Sequence, residues 1–248
     1  MDLLHGALDT DDDQAREIAV GHALLRRISA GGSGPVLRVY RPARSVVAFS
    51  RRDSLLPGFD AALRAVRDAG FQPVVRPQGG RAVAYTRQSV VVDHASPDPD
   101  FPAGMNERFT TYGQLWADLL RDHGVDARVG AVPGEYCPGA YSVNARGEVK
   151  LVGTAQRLVR RAWLFSAVAI YDDADVLRSL LTEVYGHLGL DFDGASVGSI
   201  SAEAPDLSLD GLENAIIDAY AAHFPLTAAE LDDEVTEAAR ALADDHRR

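Results

Sequence analysis

Between Gly139 and Tyr171 the chain reads "GAYSVNARGEVKLVGTAQRLVRRAWLFSAVAIY", and this stretch restricts the architecture more than any other. A turn-prone run at Asn144–Gly147 between two apolar runs predicts a hairpin, and "AWLFSAVAIY" supplies a third strand directly after it. Upstream, "DDDQAREIAVGHALLRRIS" places Ile18, His22, Leu25 and Ile28 on one helical face, with aspartates at its start favouring the helix dipole. "VLRVYRP" and "SVVAFS" read as short strands, and "FDAALRAVRDAG" as a helix stopped by Gly70. "FQPVVRPQGGRAVAY" has strand-like halves about Gly79 and Gly80, and "SVVVDH" is another short strand. "ASPDPDFPAG" reads as a loop, and "ERFTTYGQLWADLLRDHG" as a helix with its apolar stripe at Tyr112, Leu115, Trp116 and Leu119. After Asp172 the pattern is helical to the end. Strands mixed with helices, and adjacent hairpins among them, predict an α+β (mixed α/β) core with a helical C-terminal part.

Charge and composition remove several function classes. A formal net charge of −11 repels phosphate, so nucleic acid and anionic membranes are not expected partners. The acidic start "MDLLHGALDTDDD" lacks the basic and apolar regions of a signal peptide, and no apolar run approaches the ~20 residues of a membrane helix. One cysteine cannot form an internal disulfide and suits a reducing compartment, so a soluble, cytoplasmic protein is expected. The seven histidines show no metal-ligand spacing, so no metal site is expected. Asp93–His94 follows an apolar run and could face a pocket, with a strand-end cap the plainer reading; the arginines of "QRLVRR" could attract an acidic carrier domain, with a solvated strand face the plainer reading.

Two features carry chemistry. Of 25 basic residues only Lys150 is a lysine. Arginine is always protonated and planar, whereas lysine is a compact charge that can meet a carbonyl or phosphate, so a chain that otherwise uses arginine keeps lysine where arginine fails. Gly153, three residues on, is a strand glycine of the kind that admits a ligand or a second backbone. The second feature is "VVRPQGGRAVAY", where Arg76 and the pair Gly79–Gly80 can offer backbone N–H groups and a fixed cation to an anion. Cys137, in the Pro/Gly loop "PGEYCPGAY", lies thirteen positions before Lys150 and faces it if the hairpin closes; a neighbouring ammonium would favour its thiolate.

In this order and at this separation, "RPQGGRAV" followed by "VKLVGTAQR" resembles the lipoate–protein ligase and octanoyltransferase family, itself related to biotin–protein ligases. That family carries an R-R-x-G-G-G-x-V loop and then a K-[ILV]-x-G-[ST]-A-[QY] strand, and the resemblance runs from about residue 10 to 190. It implies a central, largely antiparallel sheet with flanking helices, a catalytic domain over 1–190 and a helical extension over 191–248 packed on it. It implies that Lys150 contacts the acyl carbonyl and the phosphate of an acyl-adenylate. Arg76, Gly79, Gly80, Ala82 and Val83 match the loop over acyl chain and nucleotide, and Gly153, Thr154 and Ala155 the opposite wall. Arg81 stands where the family has its third glycine, which is expected to bring bulk and charge towards the ligand. The family's histidine-glycine pair in the next strand is absent from "RRAWLFSAVAIY".

The implied function is attachment of a lipoyl or octanoyl group to a carrier-domain lysine, first by the ligase route with ATP and Mg. A transferase route without a cofactor would use Cys137 to take octanoate from acyl carrier protein. A non-catalytic acyl- or nucleotide-binding relative is the remaining class. Expected partners are a lipoyl-carrier domain or acyl carrier protein and a small acyl acid.

Overall fold

The computed structural model describes residues 1–8, 13–98 and 103–248. The chain opens with β1 (Asp2–His5), α1 (Gln14–Ser29), β2 (Val36–Tyr40), β3 (Val46–Phe49) and α2 (Phe59–Asp68). It continues through β4 (Gln72–Val75), β5 (Val83–Tyr85), β6 (Ser89–Pro97), α3 (Met105–Asp122), β7 (Ala127–Val129) and β8 (Val143–Ala145). Then come β9 (Val149–Val159), β10 (Ala162–Ile170), α4 (Ala174–Leu188), α5 (Ile200–Glu203), α6 (Leu209–Ala221), β11 (Thr227–Ala229) and α7 (Asp233–His246).

Eight strands form one sheet in the order β11-β1-β2-β6-β10-β9-β8-β7, and β4-β3-β5 form a smaller one. From β2 through β7 every pairing in the large sheet is antiparallel; β1 runs parallel to both β2 and β11. The mixed α+β class with flanking helices is therefore observed. The hairpin expected at Asn144–Gly147 is present: Arg146 and Gly147 take φ of 59° and 79°, and the Asn144 side chain accepts from the Gly147 N–H at 2.7 Å. That side-chain bond replaces a strand partner at the tip and fixes the register of β9.

Side-chain alternation sorts β6 between two cores. Val90 and Val92 face α3 and α6, in a cluster with Trp116, Tyr112 and Tyr220. Val91 faces the small sheet, α2 and α4, packing with Tyr40, Phe49, Ile170 and Tyr185. A third cluster joins α1 to α7. Fully burying each large apolar side chain contributes roughly 1.5–3 kcal/mol, so three continuous clusters hold both sheets to their helices.

The structure departs from the sequence reading at several points. Asp93 and His94 do not cap a strand end; both are buried within β6 and point to opposite faces. His94 sits among the rings of Tyr112, Trp163, Tyr220 and Phe224, and burial pushes its pKa down to about 3, so it is a neutral core ring. The loop expected at "ASPDPDFPAG" begins later, because β6 continues to Pro97; residues 99–102 lie outside the described residues. Asp11 and Asp12, expected in the first helix, also lie outside them, and Asp13 caps α1 by accepting from the Ala15 N–H. The segment "TAAEL", expected to be helical, opens with β11, since its backbone finds β1 as a partner and pairing overrides helix propensity.

The helical layer carries one very close contact. A Cβ on Gly58, at the start of α2, would lie 1.7 Å from the carbonyl oxygen of His187 at the end of α4. Gly58→Ala is expected to lower the urea midpoint by an amount equivalent to about 3 kcal/mol at unchanged slope. A midpoint within experimental error of the parent would contradict that packing.

Candidate active site

The site lies where the Val132–Ser142 loop meets the glycine loop over the open face of β9 and β10. Lys150 is 2% exposed, and every one of its ammonium protons has a partner. Nζ lies 2.8 Å from Glu135 Oε2 and donates to the carbonyls of Tyr136 at 3.0 Å and Cys137 at 3.1 Å. The Tyr136 ring lies 4.6 Å from the same nitrogen. Gly153 permits this path, for a Cβ there would come within 3.3 Å of Lys150 Cε.

Glu135 is the hub of the loop. It accepts from the N–H of Val132 at 3.0 Å and of Gly139 at 3.4 Å, and from Ser142 Oγ at 2.6 Å. A buried carboxylate so thoroughly bonded, and paired with a buried ammonium, fixes the loop at both ends. At the apex Cys137 takes φ of 44°, a left-handed conformation uncommon outside glycine that the surrounding bonds hold in place. Its N–H donates to the Tyr185 hydroxyl at 2.6 Å, and that hydroxyl donates to the Ala82 carbonyl at 2.9 Å. One tyrosine on α4 thus ties the cysteine loop to the glycine loop.

The thiol is held by the glycine loop itself. Sγ receives the Arg81 N–H at 3.2 Å and Arg76 Nη2 at 3.4 Å, while Arg76 also donates to the carbonyls of Gly79 and Arg81. Burial pushes the Cys137 thiol up, but the charges of Arg76 and Lys150 and the two hydrogen bonds outweigh it, and the net shift is downward. Gly80 takes φ of 103°, and a Cβ there would lie 2.6 Å from Sγ, so a side chain would displace the thiol.

Cys137 borders two clefts. The inner one, with an empty volume of about 680 Å³ including its open mouth, runs between the large and small sheets past Arg76, Val83, Lys150, Gly153, Thr154 and Ala155. The outer one is bordered by Gly79, Gly80, Phe109, Tyr141 and Gln156, and Thr154 and Ala155 belong to both. Ala82 is buried behind the loop and offers its carbonyl to Tyr185. Arg81 departs from expectation: its guanidinium turns away to Asp53 at 3.3 Å, and only its backbone N–H faces the thiol. Asp93, which could face a pocket on the sequence, does line the inner cleft; sequence reasoning missed Glu135, Tyr185 and Ser166, and nothing local marks any of the three.

The lowered thiol pKa has a direct readout. The rate of Cys137 alkylation by iodoacetamide is expected to follow a titration with its midpoint below the ordinary thiol range. Arg76→Gln removes the first of the favourable charges, so the midpoint moves up and the rate at neutral pH falls about three- to tenfold. An unchanged profile would show that Arg76 does not set the thiolate population.

Residues 13–221 match the model of the lipoyl protein ligase A/B catalytic domain. The chain belongs to that family. It is 30% identical over 148 residues to an octanoyl-GcvH:protein N-octanoyltransferase of Geobacillus kaustophilus, a match covering 60% of this chain and 52% of the relative. It is 25% identical over 159 residues to a lipoyl-GcvH:protein N-lipoyltransferase of Listeria monocytogenes, covering 64% of this chain and 55% of that one. The chain therefore spans about half the length of the curated relatives it matches. Among solved structures, a lipoate-protein ligase A bound with ATP superposes with a TM-score of 0.76 at 21% identity, over 98% of this chain and 95% of that one. At that identity the likeness is one of fold. Among the described residues no helix is long and apolar enough to cross a membrane.

Proposed function

We propose that this chain transfers an octanoyl or lipoyl group, by way of a thioester on Cys137, from a carrier-bound donor to a lysine of a carrier domain. The observation that carries this reading is the placement of Cys137 Sγ between two clefts with Arg76 and the Arg81 N–H on it. The names of the relatives, octanoyl- and lipoyl-transferases acting on GcvH, support the same substrate and partner classes.

The thiolate attacks the donor's acyl carbonyl, forming a C–S bond and a tetrahedral oxyanion; its collapse breaks the bond between the acyl carbon and the donor's heteroatom, which departs after taking a proton from water. The Arg76 guanidinium, freed as the thiolate becomes a neutral thioester, is a cation beside the developing charge. An amine of the target lysine then attacks the thioester carbonyl. The C–N bond forms, the C–S bond breaks, the amine loses a proton to water, and the thiolate returns. The acyl chain lies in the inner cleft, and the outer cleft admits the carrier's arm.

The ATP route fits these residues less well. It asks Lys150 to meet an acyl carbonyl and a phosphate, yet its three N–H donors are already used by Glu135 and two carbonyls. Intact-protein mass spectrometry after incubation with an octanoyl-carrier thioester tests the proposal. A hydroxylamine-labile octanoyl adduct on the parent, absent from Cys137→Ser, is expected. An unmodified parent would remove the thioester route for that donor and return the ligase and binding-only readings.

A further inference from the structure

Cys137 is held at both ends of its own residue by side chains from elsewhere in the fold. Its carbonyl accepts from Lys150 Nζ at 3.1 Å, and its N–H donates to the Tyr185 hydroxyl at 2.6 Å. Between those two anchors it takes a left-handed φ of 44°, which a residue with a Cβ adopts at a cost. Lys150 holds a buried carboxylate and a second carbonyl besides. Tyr185 holds one other group, and that group belongs to the loop on the far side of the sulfur.

The two bonds of that hydroxyl have fixed directions. A backbone N–H only donates and a backbone carbonyl only accepts, so Tyr185 Oη accepts from Cys137 and gives its proton to Ala82 at 2.9 Å. Burial, and after it the Cys137 charge, push the phenol above its ordinary range, so the proton stays on the oxygen while the thiol titrates. Ala82 follows Arg81, whose own N–H lies 3.2 Å from Cys137 Sγ. The path therefore closes on itself, from the sulfur through Arg81, Ala82 and the hydroxyl back to the Cys137 N–H.

The anchor is braced in its turn. Tyr185 is 1% exposed, belongs to the apolar cluster of Phe49, Phe59 and Val83, and has its ring 5.1 Å from that of Phe192. Two residues on, the His187 carbonyl lies against Gly58 with no room for a Cβ between them. α4 is thus fixed from behind and does not follow a loop that moves away from it.

We propose that Tyr185 is a positioning residue for the nucleophile: its hydroxyl holds the cysteine loop against the glycine loop, so that Cys137 Sγ stays on the Arg81 N–H and beside Arg76. This role rests on the acyl-transfer reading for what the sulfur attacks, whereas the sulfur's place and its readiness to ionise belong to the unreacted protein. Without the hydroxyl, the Cys137 N–H and the Ala82 carbonyl lose their partner together. Leaving buried polar groups unpaired costs more than their hydrogen bonds contribute, so the two loops part to reach water and the sulfur leaves its donors.

The test compares Tyr185→Phe with Tyr220→Phe. Tyr220 is buried as deeply, and its hydroxyl has no hydrogen-bond partner among the described residues, so the control removes the same atom without touching either loop. The pH profile of Cys137 alkylation by iodoacetamide is read first, because it needs neither donor nor carrier. In Tyr185→Phe its midpoint is expected to move up and the rate at neutral pH to fall about three- to tenfold, while Tyr220→Phe keeps the parent profile. Transfer from octanoyl-GcvH to a carrier lysine is then expected to lose about 10- to 100-fold in kcat in Tyr185→Phe, with KM little changed. An unmoved profile in Tyr185→Phe, or the same shift in both variants, would overturn the role, whatever the melting temperature does. A shifted profile alongside undiminished transfer by Cys137→Ser would sink the thioester route and leave the hold on the sulfur standing. If Tyr185→Phe does not fold, amide hydrogen exchange in the parent decides. The Cys137 N–H is expected to exchange at least about 100-fold slower than an unprotected amide, and an unprotected rate would overturn the role.

Discussion

Cys137→Ser is expected to reduce acyl transfer to a carrier lysine by about 10⁴-fold or more, with the melting temperature nearly unchanged. The reason lies in what surrounds the sulfur. The Arg81 N–H, the Arg76 guanidinium and the Lys150 charge stabilise an anion already formed, but none of them removes a proton. Such groups hold the thiol below its ordinary range and enlarge its thiolate fraction, whereas a serine hydroxyl in the same place stays protonated and inert. The fold has little reason to respond, because the bond from the residue 137 N–H to Tyr185 involves only backbone and survives the change. Steady-state transfer to a purified carrier domain, alongside a thermal melt, reads both quantities. A serine variant keeping a tenth of the parent rate would show that the sulfur is not the nucleophile.

Lys150→Met carries the second large effect, on stability as well as activity. It leaves Glu135, 2% exposed, as a buried carboxylate without its cation. Breaking such a pair typically costs about 3–5 kcal/mol, which for a chain of this size lowers the melting temperature by about 10 °C. Adding Glu135→Gln removes the stranded charge, so the double variant is expected to recover part of the loss, and the double-mutant cycle gives the coupling. A single-variant cost below about 1 kcal/mol would mean that Glu135 is reached by water and that the pair does not organise the loop. Lys150→Arg is expected to be no rescue. The cavity is shaped to a slender stem crossing Gly153, and a planar fork has neither the width nor the three convergent acceptors in the right places. That is the physical reason why an arginine-using chain keeps one lysine.

The lysine, the glycine loop and the β8–β9 hairpin were legible because each is written locally: a unique residue type, a glycine pair between apolar runs, and a turn sequence between strands. Cys137 was legible as a possibility through its distance along a hairpin. Glu135 had no signal of its own, since a glutamate in a Pro/Gly loop reads as solvated until the loop is seen to fold over it. Asp93 and Ser166 stand 73 positions apart, and only the β6–β10 register makes them neighbours. Tyr185 reads as one more apolar position of an amphipathic helix. β11, a strand of three residues, becomes a strand only by pairing with β1 across more than 220 residues. Local propensity contains no record of a partner that far away.

That last pairing has a consequence for how the molecule keeps to itself. The match to the family's catalytic domain ends at residue 221, and β11 begins only at Thr227. The strand that covers the open side of β1 thus comes from beyond the matched segment, and it is clamped by the Met1 ammonium on the Pro225 carbonyl. A chain cut at that boundary would retain Cys137, Lys150 and both clefts, yet would bare a row of backbone donors and acceptors along Asp2–His5. Such an edge is a template for a second copy of itself, so the final segment acts as a guard against self-association as much as a part of the fold.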